Sequence, residues 1–203
     1  MLNAVDTLPG MVALQTDPLE GIPRRTLKLV EYEQLVALGA FEDERVELVF
    51  GEILPMSPQG TAHGWLVNHL HNRLAVALAG RAVVRAHSPI RALGESQPEP
   101  DVAVFPIEDD RPDQHPDHLH LVIEVADTSR RKDLGPKARL YALTGIPVYW
   151  TVDLAQRLVR VHSEPTDGEY RVVMTFLPGQ DAHLAVPEFP DVSVSVDELF
   201  ARL

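Results

Sequence analysis

The chain has 203 residues, a formal net charge of −12 at pH 7 and no cysteine. This length suits one domain with a substantial core and is too short for two domains of ordinary size. The lack of cysteine excludes disulfide bonds and thiolate chemistry and is typical of a reducing compartment, so we expect a cytoplasmic location. The excess of acidic residues opposes non-specific binding to a polyanion, although a local basic patch can still bind phosphate. No stretch approaches the ~20 apolar residues needed to cross a bilayer, so we expect no membrane partner.

The first residues differ in pattern from the rest of the chain. Residues 1–25 show no sustained hydrophobic period and contain several residues that interrupt regular structure, namely Pro9, Gly10, Pro18, Gly21 and Pro23. We therefore expect a loosely held leader over residues 1–25 and a single domain over residues 26–203.

Helices and strands alternate in the predicted domain. Apolar residues that recur every three or four positions before a glycine predict helices at Val30–Leu38, Ala62–Ala79 and Leu134–Leu143, and a short helix is expected at Val196–Leu203. Apolar runs bounded by proline and glycine predict strands at Arg45–Phe50, Ile53–Met56, Arg81–His87, Ile90–Leu93, Asp101–Phe105, Leu119–Ala126, Pro147–Val152, Leu158–Val161 and Tyr170–Phe176, with weaker strands near Leu184 and Val192. The first two strands are typical of a hairpin across Gly51 and Glu52. We expect the four strands between Arg81 and Ala126 to share one sheet.

Glu124 is an acid inside an apolar run. The run Leu119–Ala126 otherwise has the pattern of a strand buried on both faces. At a period of two, Val122 and Ala126 share the face of Glu124, so its carboxylate points toward one packed face. A buried carboxylate must be paired, protonated or metal-bound, because desolvation of the ionised form costs on the order of several kcal/mol. The alternatives are a register that places Glu124 at the solvent edge, or a structural salt bridge.

Asp101 adds a second carboxylate at the start of another apolar strand, directly after Pro100. Two acids on neighbouring strands supply the hard oxygen ligands that Mg²⁺ or Mn²⁺ prefers. On the alternative interpretation Asp101 only ends a proline-rich turn, as Glu99 could, and Glu99 is the weaker candidate.

Three more residues are candidates for the same site. Lys137 follows a predicted Asp133 N-cap on the helix face that should pack on the sheet, so its amine can reach the carboxylates unless it extends into solvent. Glu47 is another acid inside an apolar run. His63 lies on the apolar stripe of the second helix, where a structural hydrogen bond is the alternative to a role in the site.

Other polar clusters give weaker signals. The histidines His115, His118 and His120 do not predict a zinc site, because the loop lacks cysteine, Pro116 interrupts it and no second ligand pair has a convincing spacing. The basic run at residues 130–132 is either a solvated face or a contact for a nucleic-acid backbone. No glycine-rich phosphate loop, nucleophile elbow or dinucleotide fingerprint is present in the sequence.

A series of short motifs in one order extends from Thr26 to Phe200. The motifs are Glu47–Glu52, Met56–Pro58 with His63, Pro100–Val102, Val122–Asp127 with Ser129, Asp133, Lys137 and Tyr141, then Gly145–Pro147 with Tyr149 and Trp150, and finally Pro187–Pro190 and Val196–Phe200. Together they resemble the Uma-two family of restriction-like endonucleases, within the PD-(D/E)XK superfamily.

The resemblance implies an α/β (α+β) fold in which a mixed β-sheet is flanked by helices around a restriction-endonuclease-like core. It also implies that Asp101 and Glu124 are metal ligands and that Glu47 is a further acid of the site. His63 and Tyr141 would line the same site.

The chain departs from the superfamily pattern at one position. The pattern has a lysine two residues after the glutamate, where this sequence has Ala126, and Lys137 is the plausible replacement from the helix. Our hypothesis is an endonuclease dependent on Mg²⁺ or Mn²⁺ that acts on DNA, with Asp101, Glu124 and the carbonyl of Val125 holding the cation. Lys137 would orient a water or stabilise developing negative charge, and a homodimer would suit two-strand cutting. The alternatives are a non-catalytic binding or assembly module with a nuclease fold, and hydrolysis of another phosphoester.

Overall fold

The structure, a computed structural model, describes residues 22–127 and 129–203. Most of the predicted leader therefore lies outside the described residues, and residues 22–28 contain no helix or strand. None of the helices in the described part of the chain is long and apolar enough to span a membrane. In chain order the elements are α1 Leu29–Ala37, β1 Val46–Val49, β2 Glu52–Pro55, α2 Thr61–Ala77, β3 Val83–Ala86, β4 Val102–Phe105, a 3₁₀ turn Ile107–Asp109, β5 Leu121–Ala126, α3 Arg130–Lys132, a π-helical turn Asp133–Lys137, α4 Ala138–Thr144, β6 Val148–Asp153, β7 Leu158–Thr166, β8 Glu169–Phe176, β9 His183–Val186, β10 Phe189–Ser195 and α5 Val196–Phe200.

A six-stranded mixed sheet in the order β3-β4-β5-β6-β7-β8 forms the centre of the fold. Strands β5 and β6 run parallel, and the other neighbours in this sheet are antiparallel. The parallel pair requires a crossover, which the helical segment from α3 to α4 supplies. The predicted fold of a mixed sheet flanked by helices is confirmed. Strands β1 and β2 form a separate hairpin, as do β9 and β10.

The two faces of the sheet carry separate hydrophobic cores. Leu121, Ile123 and Val125 pack in one cluster with α2, whereas Val122 packs in another cluster with Tyr141 of α4. This is the alternation expected for a strand that is buried on both faces. The α2 side chains in the first cluster, including Leu66, Val67, Leu70 and Leu74, are fully buried, and each contributes about 1.5–3 kcal/mol by leaving water. Glu124 lies between two apolar layers as a result.

A predicted strand and the predicted apolar side of the first helix are wrong. Ile90–Leu93 is not a strand, because apart from one isolated bridge its backbone bonds go to other loops. The apolar side of α1 is formed by Leu29 and Tyr32, whereas Leu38, the last residue of the predicted apolar pattern, is 82% exposed.

The third helix begins earlier than predicted and contains a π-helical turn. Helix α3 begins at Arg130, and the π turn that follows it contains Pro136. Because proline has no N–H, it cannot make the i→i−4 bond of an α-helix, and the wider turn accommodates that loss. Asp133 is therefore not an N-cap, and its Oδ2 accepts a hydrogen bond from Ser129 Oγ at 2.5 Å. The π turn buries both Asp133 and Lys137.

Candidate active site

Several predicted residues meet in one cleft where β4 begins and β5 ends. The cleft has a volume of about 470 Å³ including its open mouth, and His63, Asp101, Glu124 and Lys137 line it. One wall is the loop of residues 56–60, which leads into α2. The opposite wall is the helical segment that carries Ser129, Lys132, Asp133 and Lys137.

Asp101 completes the hydrogen bonding of β5. Its Oδ2 accepts the amide of Val125 at 2.8 Å and Nε2 of His63 at 3.1 Å. Extending the register of β4 and β5 by two residues places Pro100 opposite Val125. The carboxylate of Asp101 accepts the Val125 N–H in place of a backbone carbonyl, and Pro100 has no N–H to donate to the Val125 carbonyl. The N–H and C=O of one strand residue point to the same side, so the carbonyl of Val125 also points toward Asp101.

Glu124 is held by two donors on the other side of the cleft. Its Oε1 accepts a hydrogen bond from Tyr141 Oη at 2.7 Å and lies 2.5 Å from Lys137 Nζ. Lys137 Nζ also lies 3.1 Å from Glu47 Oε2, so one ammonium group bridges carboxylates from β5 and β1. The Lys137 side chain is 2% exposed and does not extend into solvent. Glu124 is 4% exposed, which excludes the solvent-edge alternative, and its salt bridge with Lys137 is present.

The cleft contains more negative than positive groups. Burial, and to a smaller extent the nearby carboxylates, raises the pKa of Glu124 well above its ordinary value despite the opposing charge of Lys137. Burial likewise raises the pKa of Asp133. Four buried carboxyl groups face two lysines in this network: Glu47, Asp101, Glu124 and Asp133 against Lys132 and Lys137. The carboxyl groups outnumber the lysines, and a divalent cation in the cleft would offset part of this negative charge.

Two of the acids are more readily ionised than the others. Burial alone would raise the pKa of Asp101, but the hydrogen bond and charge of His63 outweigh burial and lower it. Burial would also raise the pKa of Glu47, and the charges of Lys137 and Lys132 reverse the sign and lower it. Asp101 and Glu47 are therefore carboxylates at neutral pH, whereas Glu124 binds a proton more readily.

The donor set fits a hard divalent cation. Asp101 Oδ2 and Glu124 Oε1 accept hydrogen bonds, but no described residue donates a hydrogen bond to Asp101 Oδ1 or Glu124 Oε2. Each acid therefore retains one oxygen for a ligand, and carboxylate and carbonyl oxygens are the ligands that Mg²⁺ prefers. Glu99 is less suited, since its carboxylate contacts Arg45.

A second acidic group lies in the exposed loop after β4. Within residues 22–127 and 129–203, only Asp109, Asp117 and His118 form a group of three or more His, Asp or Glu residues with ligand atoms within 4.8 Å of one another. His118 Nδ1 contacts Asp109 Oδ2 at 3.2 Å and Asp117 Oδ1 at 3.1 Å, so the group is satisfied internally. The group includes neither Asp101 nor Glu124, and it includes only one of the three loop histidines.

Three residues at the site were not predicted to lie there. Lys132 Nζ lies 2.6 Å from Glu47 Oε1, whereas its basic run was interpreted either as a solvated face or as a contact for a nucleic-acid backbone. Asp133 was predicted to be a helix cap. It lies four residues before Lys137, and residues four apart share one face of a helix, so this spacing could have indicated that Asp133 lies near Lys137. His87 Nδ1 lies 3.6 Å from Asp101 Oδ1, and its backbone has a φ of 48°, which no local sequence pattern indicates.

The mixed sheet and the acidic cleft at the ends of its central strands define a restriction-endonuclease-like protein. The sequence model of the Uma2 family, described as "Putative restriction endonuclease", matches residues 29–197. The chain therefore belongs to this family, as the motifs predicted. A crystal structure of a putative nuclease belonging to DUF820 from Anabaena variabilis ATCC 29413 has a similar fold, with a TM-score of 0.69 at 18% identity over 86% of this chain and 98% of that chain. No curated protein sequence matches this chain.

Proposed function

We propose that the protein is an endonuclease that hydrolyses phosphodiester bonds in DNA and depends on Mg²⁺ or Mn²⁺. One observation carries the proposal: buried Lys137 pairs with Glu124 and Glu47, and the buried pair of Asp101 and His63 lines the same cleft as Glu124 and Lys137. Removing each ion from water costs on the order of several kcal/mol, and such an arrangement is typical of functional sites rather than of sites that only stabilise a fold.

Asp101, Glu124 and the carbonyl of Val125 would hold the cation. The oxygens Asp101 Oδ1 and Glu124 Oε2 accept no hydrogen bond from the described residues, and the Val125 carbonyl lies opposite a proline. A bound divalent ion supplies Lewis acidity toward a phosphate oxygen and lowers the pKa of water.

Lys137 acts as a fixed positive charge at the wall of the cleft. Burial would lower its pKa, but Glu124 and Glu47 outweigh burial and raise it, so the ammonium group keeps its proton. A protonated lysine does not serve as a base. It orients the two carboxylates and offsets negative charge that develops on a phosphate in the cleft. His63 and Tyr141 position Asp101 and Glu124 through their hydrogen bonds.

A non-catalytic binding module with a nuclease fold is the second candidate. Ala126 at the usual lysine position and the net charge of −12 favour it. A homodimer remains a prediction for either candidate.

Metal-dependent cleavage and metal-dependent stability together test the proposal. We expect the wild type to cut plasmid or linear DNA with Mg²⁺ and not with EDTA, and we expect Mg²⁺ to raise its Tm. Asp101→Asn should abolish cutting and the Tm rise. Asp117→Asn removes the same charge from the exposed loop group and should change neither. A Tm rise that depends on Asp101, without cleavage of DNA or RNA, would favour the binding module, and neither effect in the wild type would refute a metal-dependent nuclease.

A further inference from the structure

A second groove opens beside the acidic cleft. Its volume is about 920 Å³ including its open mouth, and Leu54, Pro55 and Pro136 form its apolar walls. Ser57, Ser129 and Lys132 line both the cleft and this groove. The two cavities are therefore continuous, and an extended ligand bound in the cleft has a path into the groove.

The charge of this groove is opposite to that of the chain as a whole. Among the described residues no carboxylate lines it, and the cations that line it are Arg131 and Lys132. The Arg131 side chain is exposed and makes no hydrogen bond or ion pair with any other described residue. Its neighbour Arg130 is already engaged, because its Nε lies 2.8 Å from Asp153 Oδ2 and its Nη2 donates to Gln156 at 2.8 Å. Arg131 is thus the arginine of this run that is available to a ligand.

The two lysines beside Glu47 differ in their freedom to move. Lys137 is enclosed between Glu124 and Glu47. The Lys132 side chain is 20% exposed at the junction of cleft and groove, and its Nζ lies 2.6 Å from Glu47 Oε1. If Lys132 turns away, Glu47 Oε2 keeps Lys137 and the amide of Glu99 as partners. Lys132 is therefore the lysine that can turn toward a ligand.

We propose that Arg131 and Lys132 form a phosphate subsite that holds the nucleic-acid backbone next to the phosphate that is cleaved. This inference rests on the proposed nuclease function. A guanidinium group pairs with a phosphate through two parallel hydrogen bonds, and an ammonium group adds a point charge. The apolar walls suit the sugar between two phosphates. Contacts to the backbone position a strand and do not read its sequence, so this subsite is independent of base identity.

Removing one arginine at a time tests the subsite in the full-length protein. Arg131→Gln removes one of the two positive charges in the groove, and Arg131→Lys keeps both. Arg171→Gln is the matched control, because Arg171 is an exposed arginine on β8, which β6 and β7 separate from β5. Binding of a fluorescent DNA duplex is measured by anisotropy over a range of salt concentrations with Ca²⁺ in place of Mg²⁺, and cleavage is measured with Mg²⁺.

We expect Arg131→Gln to weaken binding by about fivefold to tenfold and to reduce the slope of log affinity against log salt by about 1, since one phosphate contact is lost. In cleavage assays KM should rise while kcat stays within about twofold, which is the signature of a binding contact. Arg131→Lys should retain the wild-type salt slope. If the wild type binds and cuts DNA but Arg131→Gln binds the duplex as tightly as Arg171→Gln, the proposed phosphate subsite is wrong and the nuclease function is not affected. A wild type that neither binds nor cuts DNA would overturn the nuclease function and the subsite together.

Discussion

Replacing Lys137 by methionine tests the ionic network directly. Methionine has a similar length and no charge, so the change removes the ammonium group and little volume. The lost contacts are those of Nζ with Glu124 Oε1 at 2.5 Å and with Glu47 Oε2 at 3.1 Å. Breaking a buried ion pair from one side costs about 3–5 kcal/mol, because the partner is left as a buried charge.

The structure points to the lower end of that range. Lys132 still compensates Glu47, and Tyr141 still donates to Glu124. We therefore expect Lys137→Met to lower the free energy of unfolding by about 3 kcal/mol without divalent ions. At about 2–4 °C per kcal/mol for a domain of this size, the Tm should fall by about 6–12 °C.

Urea and thermal unfolding in EDTA measure this loss. Lys28→Met is the control, since Lys28 is exposed before α1 and its replacement should change stability by no more than about 0.5 kcal/mol. Adding Glu124→Gln to Lys137→Met removes the acid that lost its partner and should restore part of the stability, which gives a coupling energy above about 1 kcal/mol. Mg²⁺ should raise the Tm of Lys137→Met, because a bound cation also compensates the acids.

A loss below about 1 kcal/mol in EDTA would show that Lys137 does not hold the two carboxylates as described. A double variant less stable than Lys137→Met would show that Glu124 is not the acid left unpaired.

Two further predictions concern residues outside the cleft. Burial, and then Arg160, lowers the pKa of His162 from 6.5 to about 4, so the folded state favours neutral His162 and loses stability as the pH falls from about 6.5 toward 4. In the wild type, protonation of His162 should lower the free energy of unfolding by about 2 kcal/mol over this pH range, after allowing for partial solvent screening. We expect His162→Gln to lack this loss. If the urea midpoint of His162→Gln falls with acid as much as that of the wild type, the prediction is wrong. Gly145 has a φ of 80° at the end of α4, so Gly145→Ala should cost about 1 kcal/mol, whereas Gly64→Ala within α2 should gain up to about 1 kcal/mol. Chemical denaturation measures the free energy of unfolding of Gly145→Ala and of Gly64→Ala. If both variants are stabilised or both are destabilised, the argument from backbone conformation is refuted.

Helices and strands that are determined by a local sequence pattern could be predicted from the sequence. Helix α2 was predicted at Ala62–Ala79 and spans Thr61–Ala77, because its apolar period and final glycine are both local features. The segment Ile90–Leu93 was predicted as a strand because it is apolar. Its Ile90 is indeed buried, but its backbone bonds go to loops. An apolar run therefore predicts burial and does not by itself predict strand pairing.

Parts of the site depend on contacts that the sequence does not encode locally. Glu124 was recognisable because the residues around it are apolar. The approach of Lys137 depends on a π turn that replaces the predicted start of a helix at Asp133. Lys132 and His87 reach the site through long-range placement of their backbones, and the φ of 48° at His87 is set by tertiary structure.

The position of the site lysine follows from the geometry of β5 and the helix packed on it. A lysine two residues after Glu124 would lie on the same face of the strand, and Ala126, which is buried, has that place. Lys137 brings an ammonium group to the Glu124 carboxylate from the helical side, at 2.5 Å. Electrostatic stabilisation depends on where a charge lies and not on which element carries it. Lys137 therefore supplies, from the helix, a positive charge beside Glu124, while position 126 of the strand is occupied by alanine.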